Sequence, residues 1–193
     1  DETGIPLDDD DLAEQLLLLL FAGYETTASS LSCLFRALLL NPEIETWLRE
    51  GLATDGTSPR LDATVLEVMR LTPPVGGFFR RSLAPITLAG VAIPQGSVVQ
   101  VVLSPTSANN DADLAAFRPQ RHIDGSFGQT LLPFGGGERV CLGKALAELE
   151  IRLMAVGLLK AVELKLQQDQ DLTLQLIPSP TPKDGLLVQA SAR

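Results

Sequence analysis

Apolar and polar positions divide the chain into a helical first part, a strand-rich middle and a mixed remainder. From Leu12 to about Leu40, apolar residues occur on nearly all sides of a predicted helix, so we expect this long helix to be buried. Pro42 opens a second helix. Residues 51–60 are predicted as a loop, and a third helix over 61–71 stops before Pro73-Pro74.

The rest of the chain alternates β-branched runs with turn residues. Residues 75–103 have strand character around an Ile93-Pro94-Gln95-Gly96 turn, and most of residues 104–133 is irregular. Helical spacing returns from Gly143 to Lys160, and residues 162–190 alternate like short strands, two of them joined by PSPTPKDG. The pattern predicts one mainly α domain with small β-sheets.

The strongest chemical signal is the ten-residue segment FGGGERVCLG, Phe134 to Gly143. It places Cys141, one of two cysteines in the chain, in a glycine-rich loop that opens a helix. Glycines let the backbone lie close to a flat ligand, and the free amide groups at a helix N-terminus stabilise a negatively charged sulfur. The loop is therefore predicted to offer a thiolate to a metal.

Other uses of this loop fit its spacing less well. A phosphate-binding loop needs four residues between its glycines, whereas Gly137 and Gly143 enclose five. The two cysteines and the single histidine lie far apart in the chain and lack the paired spacing of zinc ligands. Two interpretations stay open, a single-thiolate metal site and a buried structural cysteine after a glycine turn.

The loop resembles the haem-binding loop of the cytochrome P450 family, Phe-x-x-Gly-x-Arg-x-Cys-x-Gly. The chain matches all five fixed positions: Phe134, Gly137, Arg139, Cys141 and Gly143. The resemblance implies that these residues bind haem b, with Cys141 as the axial thiolate ligand of its iron. It further implies that Arg139 pairs with a haem propionate and that Phe134 shields the sulfur.

A second motif, Ala22-Gly23-Tyr24-Glu25-Thr26-Thr27, lies within the first predicted helix. Ala22 and Thr26 share a helix face, and a Thr hydroxyl can draw a backbone carbonyl out of the helix and leave a local bulge. Such segments also serve as packing devices. The motif resembles the family's oxygen-binding motif, which implies that Ala22 and Gly23 lie beside the haem, that Thr26 steadies dioxygen and that Glu25 relays protons.

A third motif places Glu67 and Arg70 one turn apart on the helix over 61–71. Alone, this pair is equally an exposed ion pair. The family resemblance implies a structural triad completed by Arg121, because the segment Phe117–His122 (FRPQRH) resembles the family's Phe-x-Pro-x-Arg-Phe. His122 departs from that pattern, and we interpret it as a tolerated ring rather than a ligand.

The segment after the third helix carries the candidate substrate residues. Arg80 resembles the family's second propionate-binding arginine. The expected substrate-lining residues are Val75, Gly76, Gly77 and Phe78, in which glycines open space above the ring and apolar side chains line it. This stretch and residues 178–186 resemble the retinoic-acid-hydroxylating branch of the family and its cyanobacterial relatives, which implies a retinoid- or isoprenoid-like substrate. The alternative is that both stretches merely end a helix and turn a hairpin.

Charge and composition narrow the expected partners and location. A net charge of -9 over 193 residues argues against nucleic acid or an anionic membrane as a partner. There is no basic signal region and no uninterrupted apolar stretch of about 18 residues. Two unpaired cysteines indicate a reducing compartment. We therefore expect a soluble, cytoplasmic protein without a transmembrane segment. The resemblance implies a bacterial protein with a ferredoxin or flavoprotein electron donor.

The resemblance covers the chain from the oxygen-binding helix onward, so the expected architecture is the haem-proximal C-terminal half of the cytochrome P450 fold, a single partial domain over 1–193. Its expected segments are the oxygen-binding helix 12–40, the Glu-x-x-Arg helix 61–71, the β region 75–103, the meander and haem loop 104–143, the helix 143–160 and the C-terminal β hairpin 162–190. The implied function is a haem-thiolate monooxygenase that inserts one atom of O₂ into an apolar substrate. The alternatives are a truncated, inactive fragment and a haem-binding protein without turnover. A split gene would require a separately encoded N-terminal half.

Overall fold

A computed structural model describes residue 4 and residues 6–53, 56–103 and 111–193. Residues 104–110, the start of the expected meander, therefore lie outside the described residues. The helices are α1 (Asp9–Leu40), α2 (Pro42–Glu50), α3 (Pro59–Leu71), α4 (Ala112–Ala115) and α5 (Lys144–Ala161), with 3₁₀ turns at Pro119–His122 and Gly137–Arg139.

Two helices begin earlier than predicted because capping residues precede them. The Asp8 side chain accepts a hydrogen bond from the Asp11 N–H at 2.8 Å, and three aspartates occupy the first turn of α1, where the helix dipole favours negative charge. The Ser58 hydroxyl accepts from the Leu61 N–H at 3.2 Å, and Pro59 takes the first helical position of α3. Part of the predicted loop 51–60 is therefore helix.

Eight strands of the described chain form four antiparallel pairs. They are β1 (Gly77–Arg81) with β4 (Val98–Val102), β2 (Ile86–Leu88) with β3 (Val91–Ile93), β5 (Val162–Leu166) with β8 (Val188–Ala192), and β6 (Leu174–Gln175) with β7 (Thr181–Pro182). Besides the predicted turn at 93–96, a two-residue turn at Ala89-Gly90 closes β2 and β3, with φ of 47° and 82°. The segment PSPTPKDG contributes β7 itself and is not a plain connection.

The core lies where the second half of α1 crosses α2, α3 and α5. Its fully buried apolar residues come from all four helices and include Leu34, Leu38, Leu48, Leu61, Ile151 and Leu159. The hydroxyl of Ser29 donates to the Pro180 carbonyl at 2.7 Å, and the Cys33 thiol points to the same oxygen at 3.3 Å. The segment around β7 is thereby attached to α1. Burial raises the pKa of the Cys33 thiol, as expected for a structural cysteine.

The first half of α1 is exposed, contrary to the predicted burial of the whole helix. Leu17, Leu20, Phe21 and Tyr24 keep 71 or 72% of their surface accessible, and the buried residues of α1 begin only at Thr27. The apolar pattern is present, but in the described chain nothing packs on this half of the helix. We call the surface formed by Leu17, Leu20, Phe21 and Tyr24 the α1 apolar face.

By length and composition, α1 is also the one helix of the described ranges that could cross a membrane. We expected no transmembrane segment because the sequence has no long uninterrupted apolar run. In α1, polar residues such as Glu25 interrupt the apolar run. The second half of α1 packs inside the protein.

Candidate active site

The cysteine loop is closed by its own backbone. The Cys141 N–H donates to the Phe134 carbonyl at 2.9 Å, across six intervening residues. Gly135 and Gly137 have φ of 72° and 66°, a region that residues with side chains rarely adopt. The glycines therefore let the chain double back and leave the Cys141 side chain exposed at the protein surface.

The sulfur lies close to the first turn of α5. Gly143 is the residue before this helix, and a Cβ added to it would lie 4.0 Å from the Cys141 Sγ. The Lys144 N–H reaches back to the Cys141 carbonyl at 3.3 Å, and the Lys144 ammonium lies 5.9 Å from the centre of the Phe134 ring. The thiol therefore lies beside a helix N-terminus, where the helix dipole favours negative charge.

Strand β1 brings Phe78 and Arg80 beside the cysteine loop. A Cβ at Gly135 would touch the Phe78 ring at 4.0 Å. The Arg80 guanidinium stacks over that ring at 4.3 Å and donates to the Phe79 carbonyl at 2.8 Å. Neither Arg80 nor Arg139 forms an ion pair with any carboxylate of the described residues, so both cations are available to an anionic group of a ligand.

The segment Ala22–Thr27, the expected oxygen-binding motif, lies at the boundary between the exposed and buried halves of α1. The Thr26 hydroxyl donates to the Ala22 carbonyl at 2.9 Å, yet the helix stays α-helical from Asp9 to Leu40. The predicted bulge is therefore absent. The Ala22 carbonyl accepts the hydroxyl hydrogen bond while α1 remains a continuous α-helix. A Cβ at Gly23 would meet nothing within 4 Å. Within the described ranges, no hydrogen bond or ion pair joins Glu25 or Thr26 to the cysteine loop.

The Glu67 carboxylate joins α3 to the 3₁₀ turn at Pro119–His122. Arg70 donates to both of its oxygens, from Nε at 2.8 Å and from Nη2 at 2.9 Å. Arg121 donates from Nε at 3.1 Å, and the backbone N–H of Arg118 donates at 3.0 Å. The Glu67 and Arg121 side chains are 0% and 2% exposed, so the pair is a buried cluster and not the exposed ion pair that was the alternative.

The cluster extends to Asp113, and its charges fix the ionisation of Glu67. The Arg121 Nη1 lies 3.1 Å from an Asp113 carboxylate oxygen, and its Nη2 donates to the Asp113 carbonyl at 2.6 Å. Burial pushes the pKa of Glu67 upward, but hydrogen bonds from Arg70, His122 and the Arg118 N–H outweigh it and lower the pKa from 4.5 to about 2. Glu67 is therefore an ionised acceptor at neutral pH.

His122 belongs to this cluster, which the interpretation as a tolerated ring did not anticipate. Its Nε2 lies 2.7 Å from the Glu67 Oε2, and its side chain is 6% exposed. The ring meets Phe127 edge-on at 5.2 Å. The one available signal in the sequence was adjacency, because His122 directly follows the arginine that was expected to reach Glu67.

The predicted substrate residues differ in their surroundings. Val75 is half exposed, and a Cβ at Gly76 would meet nothing within 4 Å. A Cβ at Gly77, in contrast, would run into the carbonyl oxygen of Val101 on β4. Gly77 therefore has a structural reason to be glycine, namely the close pairing of β1 with β4.

The arrangement fits a haem. The cysteine loop offers one soft thiolate, two unpaired guanidinium groups suit propionates, and exposed apolar side chains flank the thiol, with Val140 at 47% and Leu142 at 89% exposure. The described residues contain no group of three or more His, Cys, Asp or Glu that could hold a metal ion on their own. A metal at Cys141 would therefore bring its other ligands with it.

Comparison with known proteins identifies the family. The family model of cytochrome P450 matches residues 1–190. A protein of Synechocystis sp., provisionally named cytochrome P450 120, is 38% identical over 98% of this chain and 47% of its own length.

The chain belongs to the cytochrome P450 family.

Two further relatives show how much of a P450 this chain covers. Cytochrome P450 26B1 of Homo sapiens is 33% identical over 97% of the chain and 42% of its own length. The solved structure of retinoic acid-bound cyanobacterial CYP120A1 is 38% identical and superimposes with a TM-score of 0.88 over 100% of the chain and 48% of that structure. The predicted P450 fold, mainly helical with small sheets, is thus confirmed, and the chain spans about half the length of the curated relatives it matches.

Proposed function

We propose that the chain supplies the haem-binding half of a haem-thiolate monooxygenase, with Cys141 as the ligand of the iron of haem b. The observation that carries this proposal is the closed glycine loop, which exposes the Cys141 thiol beside the start of α5. When bound, thiolate-ligated haem supplies the activation of dioxygen, so that one oxygen atom enters an apolar substrate.

The residues of this chain would bind the haem and orient the groups around it. Arg139 and Arg80 would pair with the propionates, and Phe134, half-buried behind the loop, would keep water from the sulfur. Gly137 and Gly143 keep the loop and the start of α5 free of side chains at this face. On α1, Ala22 and Gly23 would leave room for the haem, the Thr26 hydroxyl would hold a proton for the oxygen chemistry, and the partly exposed Glu25 would pass protons from solvent.

The decisive test is a carbon monoxide spectrum of the reconstituted protein. We expect the red-shifted Soret band of thiolate ligation, and we expect Cys141→Ser to abolish it. Cys33→Ser is the matched control, because Cys33 is the other cysteine and is buried in the core. A band that is unchanged in Cys141→Ser would refute the ligand assignment.

For the whole protein we propose a retinoid- or isoprenoid-like substrate, hydroxylated at an unactivated carbon. The proposal rests on the similarity to a cyanobacterial P450 whose solved structure holds retinoic acid, and on the open, apolar segment of Val75, Gly76 and Phe78. Such a segment suits a long, flat hydrophobe. Titration of a full-length form with retinoic acid should shift the haem spin state, and a shift with only a fatty acid of similar length would refute the retinoid assignment.

The proposed partners follow from the same chemistry. Monooxygenation consumes two electrons, which a ferredoxin or a flavoprotein would deliver. The α1 apolar face would pack against the remainder of the P450 fold, encoded in the same gene or separately. We place the enzyme in the cytoplasm, where the two free cysteines stay reduced.

A second candidate is haem binding without turnover. The observation that favours it is that, among the described residues, no hydrogen bond or ion pair joins Thr26 to the cysteine loop. Electron consumption separates the two functions. A monooxygenase supplied with a ferredoxin and its reductase oxidises NADPH faster when substrate is present, whereas a carrier does not.

A further inference from the structure

His122 is a buried polar side chain for which the proposed chemistry has no use. It lies on the 3₁₀ turn at Pro119–His122, with its Nε2 at 2.7 Å from the Glu67 Oε2. Burial of a polar ring is unfavourable unless a hydrogen bond compensates it. The close contact with a buried carboxylate is therefore the reason that this ring can replace the aromatic residue of the family pattern.

The two oxygens of Glu67 differ in their donors. Oε1 accepts from Arg70 Nη2, from the Arg118 N–H and from Arg121 Nε. Oε2 accepts from Arg70 Nε and from His122 Nε2. Because Arg70 lies on the same helix as Glu67, His122 is, among the described residues, the sole donor to Oε2 from outside α3.

The direction of this hydrogen bond follows from the charges around it. Arg70 and Arg121 both contact the Glu67 carboxylate, whose pKa is lowered to about 2, so the carboxylate accepts and does not donate. Nε2 of His122 must therefore carry a hydrogen. A neutral ring with its hydrogen on Nε2 satisfies this contact as well as a protonated ring does.

We infer that His122 is a positioning residue for the cysteine loop: it donates Nε2–H to Glu67 Oε2 and holds the segment that leads into that loop on α3. The inference rests on the proposed function only in its last step, that the placement of the loop determines haem retention.

Residues 119–135 connect His122 to the cysteine loop. Both ends of this segment lie beside α3. At the first end, the His122 ring contacts Phe127, and the Arg70 guanidinium lies 5.6 Å from the same Phe127 ring. At the second end, a groove of about 360 Å³ is lined by α3 residues and by the segment 131–135 that enters the loop. Without the His122 hydrogen bond, the Arg118 N–H and Arg121 would still bind Oε1 of Glu67, but Oε2 would lose its partner from this segment.

Two substitutions separate the hydrogen bond from the ring. His122→Gln keeps an N–H donor and loses the ring, whereas His122→Phe keeps the ring against Phe127 and loses the donor. We measure the rate of haem transfer to excess apomyoglobin and the fraction of thiolate band in the carbon monoxide spectrum, using the full chain. We expect His122→Phe to lose haem at least about tenfold faster, as for loss of a hydrogen bond to a charged group, and His122→Gln to stay within about threefold of the parent.

Any other pattern of haem retention in the parent and the two variants would refute the inference. Equal retention in all three proteins, equal loss in both variants, or greater loss in His122→Gln would each show that the donor is not what matters. A measurement on the unsubstituted chain without haem is independent of the proposed function. A ¹⁵N-edited NMR spectrum of the ring should show a slowly exchanging hydrogen on Nε2, and a ring with its only hydrogen on Nδ1 would refute the inference even if haem binds as proposed.

Discussion

At the scale of single residues, the proposed oxygen chemistry depends most directly on Thr26. Its hydroxyl is partly exposed at the point where α1 passes from solvent into the core, and it already donates to the Ala22 carbonyl. A hydroxyl in this position can exchange one hydrogen-bond partner for another without any change in the helix. That property suits a group that holds a proton next to a reacting oxygen.

We therefore predict that Thr26→Ala, in a completed enzyme, retains haem and substrate but releases more hydrogen peroxide per NADPH consumed, because protons reach the wrong oxygen. Peroxide and product are measured together. Thr46→Ala is the matched control, since the Thr46 hydroxyl makes the same bond to the carbonyl four residues earlier, on α2 at 2.9 Å. Equal coupling in the Thr26→Ala and parent enzymes would contradict the role.

Glu67 makes a prediction about acid stability. A carboxyl whose pKa is lowered from 4.5 to about 2 on folding stabilises the native state above the unfolded pKa and loses that contribution as pH falls through the folded pKa. The contribution is on the order of 3 kcal/mol. We expect the free energy of unfolding to fall by about this amount between pH 4.5 and 2, and to fall less in Glu67→Gln.

Chemical denaturation at several pH values measures this dependence. Glu43→Gln is the control, because Glu43 is exposed in the first turn of α2. Glu67→Gln is also expected to be less stable at neutral pH, since it removes the carboxylate that pairs with the buried Arg70 and leaves Arg121 with Asp113 as its one carboxylate partner among the described residues. Parallel pH curves for the parent and Glu67→Gln would show that the cluster does not depend on this charge.

At the scale of elements, β1 carries two adjacent glycines with different surroundings. Gly76 faces open space beside the half-exposed Val75, whereas Gly77 lies against the backbone of β4. We predict that Gly77→Ala lowers the free energy of unfolding by roughly 1–3 kcal/mol, because the methyl group would force the strands apart. Gly76→Ala should change it by less than about 0.5 kcal/mol and should instead weaken substrate binding.

Thermal unfolding and substrate titration of the two variants provide the comparison, each variant serving as control for the other. Equal destabilisation by both substitutions would contradict the distinction. If only Gly77→Ala changed substrate binding, the glycine that opens the substrate space would be Gly77 and not Gly76.

The elements also show what local sequence can and cannot predict. Apolar spacing is sufficient for α3 and α5, and the turn residues 93–96 mark the end of β3, because these features depend on neighbours in the chain. The strand at Thr181–Pro182 follows the Pro180 carbonyl, which accepts from α1 donors 147 and 151 residues away, and β5 pairs with β8 across more than 20 residues of chain. The hydrogen bond of His122 to Glu67 spans 55 residues and has no local signature. The residues of the cysteine loop, in contrast, form one contiguous motif.

At the scale of the whole molecule, the α1 apolar face and one side of α5 expose several large apolar side chains. Leu146, Leu149, Leu153 and Met154 on α5 are between 50 and 63% exposed. Contiguous apolar surface of this kind marks an interface or promotes aggregation. In the proposed enzyme, the rest of the P450 fold would cover the α1 apolar face.

We predict that the 193-residue chain alone self-associates, and that Leu17→Glu with Leu20→Glu reduces the self-association by placing charge on the α1 apolar face. Light scattering at several concentrations measures this. Leu83→Glu is the control, because Leu83 is 86% exposed and lies outside that face. A chain that stays monomeric without the substitutions, or that responds equally to all three, would contradict the role of this face.

The hydrogen bonds of Ser29 and Cys33 to the Pro180 carbonyl have a consequence for synthesis on the ribosome. Strand β7 cannot reach α1 until the segment around Pro180 has left the ribosomal exit tunnel. Until then the buried half of α1 is open to chaperones and to other nascent chains, a period in which large domains are prone to misassembly. A premature stop codon after Ile177 would make that state permanent, so we expect such a product to be degraded although its haem loop is intact.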